Sequence, residues 1–184
     1  MTVPWPWPSD YDTRTSTVGI VVHHTAVLSN WRLIDVYHRS KGWVGIGYNI
    51  GIDGDGSVTV FGQLSDWRAH TYGYNGTTIG LAFMCEDMPS EVQLRAGRAV
   101  VAWLHQLYGP LPLFRHSQLV QTACPGNWDI HELEATVTDE QKAEIVGHLD
   151  VMWGVSNILA QALHTDLAAD LKERIIAIKQ VLGV

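Results

Sequence analysis

Val18-Gly19-Ile20-Val21-Val22-His23 is the stretch that decides how this chain folds. It is short, apolar and rich in β-branched residues, a pattern that predicts a strand buried inside a sheet. The turn Asp53-Gly54-Asp55-Gly56 predicts a hairpin between the two extended segments on either side of it. In all, four further extended segments are predicted: residues 45–52, 57–61, 77–84 and 111–114.

Helices are predicted between these strands. Asn30 can cap a helix that runs to about residue 40, and its apolar face is expected to contain Leu33, Ile34 and Tyr37. A second helix is predicted over 90–108, because Ser90 suits the cap position and a Gly-Pro pair follows the last turn. The alternation of strands and helices indicates the α/β class.

Two histidines and a cysteine are candidate metal ligands. His116 and Cys124 flank a loop, and the pair His23-His24 closes the first strand. Neighbouring residues of a strand point to opposite faces, so only one histidine of that pair is expected to bind. Two imidazoles and one thiolate supply three of the four ligands of a tetrahedral zinc ion. The open fourth position is typical of a catalytic site.

Each of these side chains also has an ordinary structural explanation. A histidine that ends a strand is often structural, a single cysteine is often a small buried apolar residue, and Tyr48 alone is common in strands. Cys85 ends an apolar strand and is assigned to the core, with a Cys85–Cys124 disulfide as the minor alternative. The metal-site hypothesis rests on the combination of residues. The histidines of the helical segments, at positions 38, 105, 131, 148 and 164, are assigned to the surface or to packing.

Composition and charge exclude several classes of protein. The chain has 184 residues, 46% of them hydrophobic and 17% charged, so it can bury a core. Its net charge of −7 argues against nucleic-acid binding, which needs a basic face. No apolar run approaches the roughly 20 residues of a membrane-spanning helix. The first residues lack the basic and apolar segments of a signal peptide, so no secretion signal is expected.

The two ends of the chain differ from its middle. Residues 1–16 alternate Pro and Trp at the start, which favours an extended arm packed onto the domain. From Thr138 a capping pattern and apolar spacing of three or four predict two helices, over about 139–163 and 166–182. This tail is expected to pack on the domain or to mediate self-association.

Several short motifs follow one another between about residues 17 and 135. They are Val-Val-His23-His24-Thr25, Gly47-Tyr48-Asn49, Ala69-His70, Tyr74-Asn75, Ile79-Gly80-Leu81, His116 and Thr122-Ala-Cys124-Pro125-Gly126. In this combination and order they resemble a known family, the type 2 N-acetylmuramoyl-L-alanine amidases. That family includes phage lysozyme-type amidases and the peptidoglycan recognition proteins.

The resemblance implies a central mixed β-sheet flanked by helices. We expect a catalytic domain over 1–137 and, from the residue pattern alone, a helical tail over 138–184. The resemblance also implies zinc bound by His23, His116 and Cys124, with Tyr48 as the catalytic tyrosine. Thr122 occupies a position that carries lysine in some phage members and threonine in catalytic recognition proteins. The groove for substrate is expected to include His70, Asn75 and Arg68.

The implied reaction is hydrolysis of the amide between N-acetylmuramic acid and L-alanine of the peptidoglycan stem peptide. The expected setting is a phage endolysin held in the host cytoplasm until lysis. One alternative is a non-hydrolytic peptidoglycan-binding module, although such relatives typically lose the metal cysteine that Cys124 provides here. Another is an interaction protein with a structural zinc, against which the open three-ligand set argues.

Overall fold

A computed structural model describes residues 11–134. The predicted tail helices and both tryptophans of the N-terminal arm lie outside the described residues. No helix among residues 11–134 is long and apolar enough to cross a membrane. The elements, in chain order, are β1 (Gly19–His24), α1 (Trp31–Ser40), β2 (Ile50–Ile52), β3 (Val58–Val60), β4 (Thr78–Phe83), α2 (Glu91–Tyr108), β5 (Leu113–Arg115), α3 (His116–Leu119) and a 3-10 helix (Ile130–Glu134).

The five strands form one mixed sheet in the order β3-β2-β4-β1-β5. β1 pairs in parallel with both β4 and β5, β4 pairs in parallel with β2, and only the β2–β3 hairpin is antiparallel. β1 therefore lies in the interior of the sheet, and it is apolar on both faces because both faces of the sheet are covered. The structure confirms the α/β class and the central mixed sheet.

The two faces of the sheet are covered by different helices. Ile79, Leu81 and Phe83 of β4 join the cluster that contains the buried face of α2. Ala82, which points the other way, joins a second cluster with Trp31 of α1. In β1, Ile20 and Val22 belong to the α2 side. Because successive side chains of a strand point to opposite faces, His23 lies on the α1 side of the sheet, where Tyr48 also packs.

Helix α2 begins as the sequence predicts. Ser90 and Gln93 form a reciprocal capping box, in which each side chain satisfies a backbone N–H of the other residue. Gly109, with a positive φ of 80°, ends the helix. Val100, Val101 and Leu104 of this helix pack in the main core.

Helix α1 begins at the predicted cap, since the Asn30 side chain accepts a hydrogen bond from the Leu33 N–H. Its predicted apolar face is right for Ile34, which is buried, and wrong for the other two residues. Leu33 and Tyr37 are 56% and 55% exposed, whereas the buried residues are Trp31, Ile34, Asp35 and His38. The polar members of this face are buried because they bind backbone N–H groups: Asp35 accepts from Ile46 and His38 from Gly47.

The same two hydrogen bonds explain why β2 is shorter than the predicted strand over 45–52. The N–H groups of Ile46 and Gly47 go to side chains of α1 and not to a neighbouring strand. Tyr48 therefore lies in the segment before β2, not within the strand as the sequence suggested.

Candidate active site

Three potential metal ligands converge at one edge of the sheet. Val22 of β1 pairs with Arg115 of β5, so His23 and His116, each the next residue along its chain, emerge side by side. Their ring centroids lie 4.4 Å apart. Cys124 approaches from the loop after α3, with its Sγ 3.6 Å from Nδ1 of His23. One ligand atom from each of the three residues lies within 4.8 Å of the others.

Hydrogen bonds select the nitrogen of His23 that faces Cys124. His70 Nε2 lies 3.2 Å from the Thr78 carbonyl oxygen, which can only accept, so Nε2 of His70 carries the proton and its Nδ1 is an acceptor. That acceptor lies 3.3 Å from Nε2 of His23, and the Thr71 hydroxyl lies 3.0 Å from the same acceptor and 3.4 Å from Nε2 of His23. A proton on Nε2 of His23 can therefore be donated either to His70 or to Thr71. Nδ1 of His23 is left with a free lone pair directed towards Cys124. A partner that fixes the tautomer of a ligating histidine is a common feature of metal sites.

The His70 ring packs directly against the backbone of Gly80. A Cβ atom on Gly80 would lie 2.6 Å from the His70 ring, so the absence of a side chain at Gly80 leaves room for the imidazole. Burial lowers the pKa of His70 to about 3, which keeps the ring neutral and its Nδ1 able to accept. His70 was expected to line the groove. It does line the cavity, and it also orients His23.

The protonation states in the site suit a bound cation. Burial lowers the pKa of His23 well below its usual value, and burial also lowers that of His116, so both imidazoles are neutral at pH 7. Burial raises the pKa of the Cys124 thiol to about 11, although a hydrogen bond from the His24 N–H and the charge of Arg115 oppose the rise. Without a cation nearby the thiol keeps its proton. A divalent cation held by these three side chains would favour the thiolate.

Tyr48 and Thr122 border the same cavity, which has a volume of about 190 Å³. The Tyr48 ring lies 5.3 Å from the His23 ring. Burial raises the pKa of Tyr48, so its phenol stays protonated and can donate a hydrogen bond. Thr122 is exposed, and its Oγ1 accepts from the Cys124 N–H at 3.3 Å.

The two remaining residues expected in the groove are not in the cavity lining. Arg68 is 0% exposed, ion-paired to Asp66 at 2.7 Å and stacked over the Tyr11 ring. A fully buried arginine cannot reach a substrate carboxylate, so that expectation is corrected. Asn75 is buried as well, and its side chain accepts from the Thr71 N–H, which shapes the loop that carries His70.

Sequence reasoning missed two residues that line the cavity, His38 and Trp43, and His24, the other member of the strand-end pair, lines it as well. His38 was assigned to the surface or to packing, but it is 7% exposed and its ring lies 5.5 Å from that of Tyr48. Its spacing of four from Ile34 and three from Asp35 was the available signal, because it places three residues on one helical face.

Comparison with known proteins identifies the family. The N-acetylmuramoyl-L-alanine amidase family model matches residues 13–127. A peptidoglycan-recognition protein, SC2, of Drosophila melanogaster is 30% identical over 122 residues, which cover 58% of this chain and 66% of that protein. The endolysin of Escherichia phage T7 is 27% identical over 137 residues, which cover 65% of this chain and 91% of the endolysin.

A solved structure agrees with the sequence matches. The N-acetylmuramoyl-L-alanine amidase LysC from Clostridium intestinale superposes with a TM-score of 0.62 at 28% identity, covering 78% of this chain and 94% of LysC. The family match extends over more than half of the chain and contains His23, His116 and Cys124 together with Tyr48 and Thr122. This chain belongs to the N-acetylmuramoyl-L-alanine amidase family.

Proposed function

We propose that the protein is a zinc-dependent peptidoglycan hydrolase that cleaves the amide between N-acetylmuramic acid and L-alanine of the stem peptide. The observation that carries this proposal is the convergence of His23, His116 and Cys124 beside a protonated, half-buried Tyr48 in one cavity. Both the family match and the similarity to phage endolysins support it.

The residues present fit zinc. Two neutral imidazoles and one thiol are ligands that zinc accepts, and the three-ligand set leaves room for a further ligand, as in catalytic zinc sites. When bound, zinc would supply Lewis-acid chemistry that polarises a carbonyl group and makes water a stronger nucleophile at neutral pH.

The protein's own side chains would then orient the zinc ligands and stabilise the negative charge that develops on the substrate. The Tyr48 phenol, which keeps its proton, can donate to negative charge that develops on the carbonyl oxygen during attack. Thr122 accepts from the backbone with its oxygen and keeps its own proton available for donation at the cavity rim. His70 holds His23 in the tautomer that presents Nδ1.

The biological setting that we propose is phage-induced lysis, in which the enzyme remains in the host cytoplasm until it reaches the cell wall. The endolysins of phages T7, K11 and KP32 support this assignment. Self-association through residues 138–184 stays a prediction from the sequence.

A second candidate is a module that binds peptidoglycan without cleaving it. The similarity to peptidoglycan recognition proteins favours it, including a solved structure of tracheal cytotoxin bound to the ectodomain complex of PGRP-LCa and PGRP-LCx. The retained Cys124 ligand favours hydrolysis over binding alone.

Mass spectrometry of purified peptidoglycan after digestion distinguishes these functions. We expect new free L-alanine amino termini and no new reducing sugar ends, with zinc measured on the same sample. The matched control is Cys124→Ser, which should bind wall fragments but not cleave them. New reducing ends without new amino groups would contradict amidase activity. Binding without any cleavage at full zinc content would favour the recognition module.

A further inference from the structure

The peptide segment just before Tyr48 is held by side chains from three distant parts of the chain. Ile46 and Gly47 are fully buried, and both lie outside any strand. Their polar backbone groups need partners, because a buried N–H or C=O without a hydrogen bond has lost its contact with water and gained nothing in return. In this segment the partners are side chains, so the path of the backbone depends on the identity of those residues.

Helix α1 supplies two acceptors. Asp35, which is 0% exposed, accepts from the Ile46 N–H at 2.7 Å. His38 accepts from the Gly47 N–H through its Nδ1 at 3.1 Å. An acceptor Nδ1 requires a neutral ring with its proton on Nε2. One turn of α1 therefore fixes two successive N–H groups ahead of Tyr48.

The carbonyl oxygen of Ile46 is fixed from the other side. It accepts from Nη1 of Arg68 at 3.0 Å and from the phenol of Tyr11 at 3.0 Å. The Arg68 guanidinium lies over the Tyr11 ring, 3.9 Å from its centroid. Burial raises the pKa of Tyr11, so the phenol keeps the proton that it donates. The N-terminal segment is thereby connected to the active-site edge of the sheet.

Close packing leaves this segment little freedom. A Cβ atom on Gly47 would lie 2.9 Å from the Ala69 carbonyl oxygen and 3.0 Å from the Trp43 ring. The backbone of Gly47 therefore packs directly against the backbone of Ala69, one residue before Tyr48. A shift of Ile46 or Gly47 has to move Tyr48 with it.

We propose that Asp35, His38, Arg68 and Tyr11 form a polar clamp on the Ile46–Gly47 peptide that positions the Tyr48 phenol over the cavity. The inference rests on the proposed function for its consequence in catalysis, but the clamp itself rests on the geometry. It assigns to Arg68 and Tyr11 a positioning role, and it makes the N-terminal segment part of the support of the active site.

Two substitutions of His38 separate positioning from substrate contact. The amide oxygen of asparagine can replace the Nδ1 acceptor, whereas that of glutamine lies nearer to the place of Nε2. We expect His38→Asn to retain kcat within about tenfold, and His38→Gln to lower kcat by roughly 10²-fold with little change in KM, as for a misplaced catalytic group. The reverse order, with the loss in KM, would assign His38 to substrate contact and overturn its place in the clamp.

Tyr11→Phe is the mildest test, because it removes only the hydroxyl that binds Ile46 and keeps the ring under Arg68. We expect it to lower kcat by roughly tenfold at unchanged zinc content, a fraction of the loss for full misplacement. The matched control is Tyr72→Phe, because Tyr72 is 90% exposed and lies outside the clamp. Equal activity of Tyr11→Phe and the unaltered protein would overturn the role of Tyr11.

A spectroscopic readout tests the clamp without reference to turnover. In protein with 13C-labelled tyrosine rings, the Tyr48 resonance is identified by its loss in Tyr48→Phe. We expect it to shift in Tyr11→Phe and His38→Gln but not in Tyr72→Phe, and the Gly47 amide to exchange faster with solvent in His38→Gln. Unmoved Tyr48 signals and unchanged exchange would overturn the clamp. Absence of cleavage by the unaltered protein would refute the proposed function alone, because these two measurements would still decide on the clamp.

Discussion

Of the side chains in the site, the Cys124 thiol is the one whose ionisation depends most directly on the proposed zinc. Burial holds its pKa at about 11, so a thiolate at neutral pH requires a positive charge beside it. We expect Cys124→Ser to lose most of its zinc, because serine is a much poorer zinc ligand than cysteine. Elemental analysis checks this, with His116→Ala as a second ligand variant and Cys85→Ser as the control. Full zinc occupancy in both ligand variants would refute the three-ligand assignment.

Substitution of Tyr48 tests the catalytic step separately from metal binding. Tyr48→Phe removes a single donor and leaves the ring that packs beside His23 and Trp31. We expect the fold and zinc content to persist while the cleavage rate falls by about 10²–10³-fold, the usual loss for one donor to an oxyanion. Release of L-alanine amino termini measures the rate. Normal turnover at normal zinc content would assign Tyr48 to packing.

His38 makes the stability of the protein sensitive to acid. Burial lowers its pKa from 6.5 to about 4, so between these values the unfolded chain binds a proton that the folded chain does not. Stability is therefore lost as the pH falls from about 6.5 towards 4. We expect the metal-free protein to lose about 1–2 kcal/mol more than His38→Asn between pH 7 and pH 5. Denaturant unfolding at both pH values measures the difference, and parallel losses would contradict it.

At the scale of elements, α2 depends on its first turn. Ser90→Ala removes the acceptor for the Gln93 N–H and breaks the reciprocal capping box. We expect the free energy of unfolding to fall by about 1 kcal/mol. Ser90→Asp, which keeps an acceptor at the cap, should stay close to the unaltered protein. If Ser90→Ala unfolds at the same denaturant concentration as the unaltered protein, the cap contributes nothing measurable to stability.

The elements that the sequence predicted well are those specified by local pattern. β1 and β4 are continuous apolar runs, and both long helices begin at a capping residue with a side-chain oxygen. The buried face of α1 could not be predicted in this way. Asp35 and His38 can be buried because they accept hydrogen bonds from backbone N–H groups that lie 11 and 9 residues further along the chain. Arg68 was misplaced for the same reason, since its partners are set by the tertiary fold.

For the whole molecule, residues 11–134 contain the sheet, both long helices and the three potential ligands. The T7 endolysin aligns over 91% of its own length with 65% of this chain. We therefore expect a chain that ends at Ala135 to fold and to retain zinc and cleavage activity. Circular dichroism, elemental analysis and the peptidoglycan assay test this. An insoluble or unfolded product would show that residues after 135 contribute to the core.

Light scattering of the same two proteins tests the predicted role of residues 138–184 in self-association. A full-length dimer with a monomeric short form would assign assembly to the tail. Monomers in both cases would exclude that role.

The central place of β1 also fixes when the site can come into existence. His23 and Cys124, whose side chains meet, are 101 residues apart in the chain. During synthesis β1 leaves the ribosome first, yet both strands that flank it, β4 and β5, are made later. The nascent chain therefore lacks the complete set of three potential ligands until Cys124 has emerged. A translation product that stops short of Cys124 lacks the thiol, so we expect it to have no amidase activity.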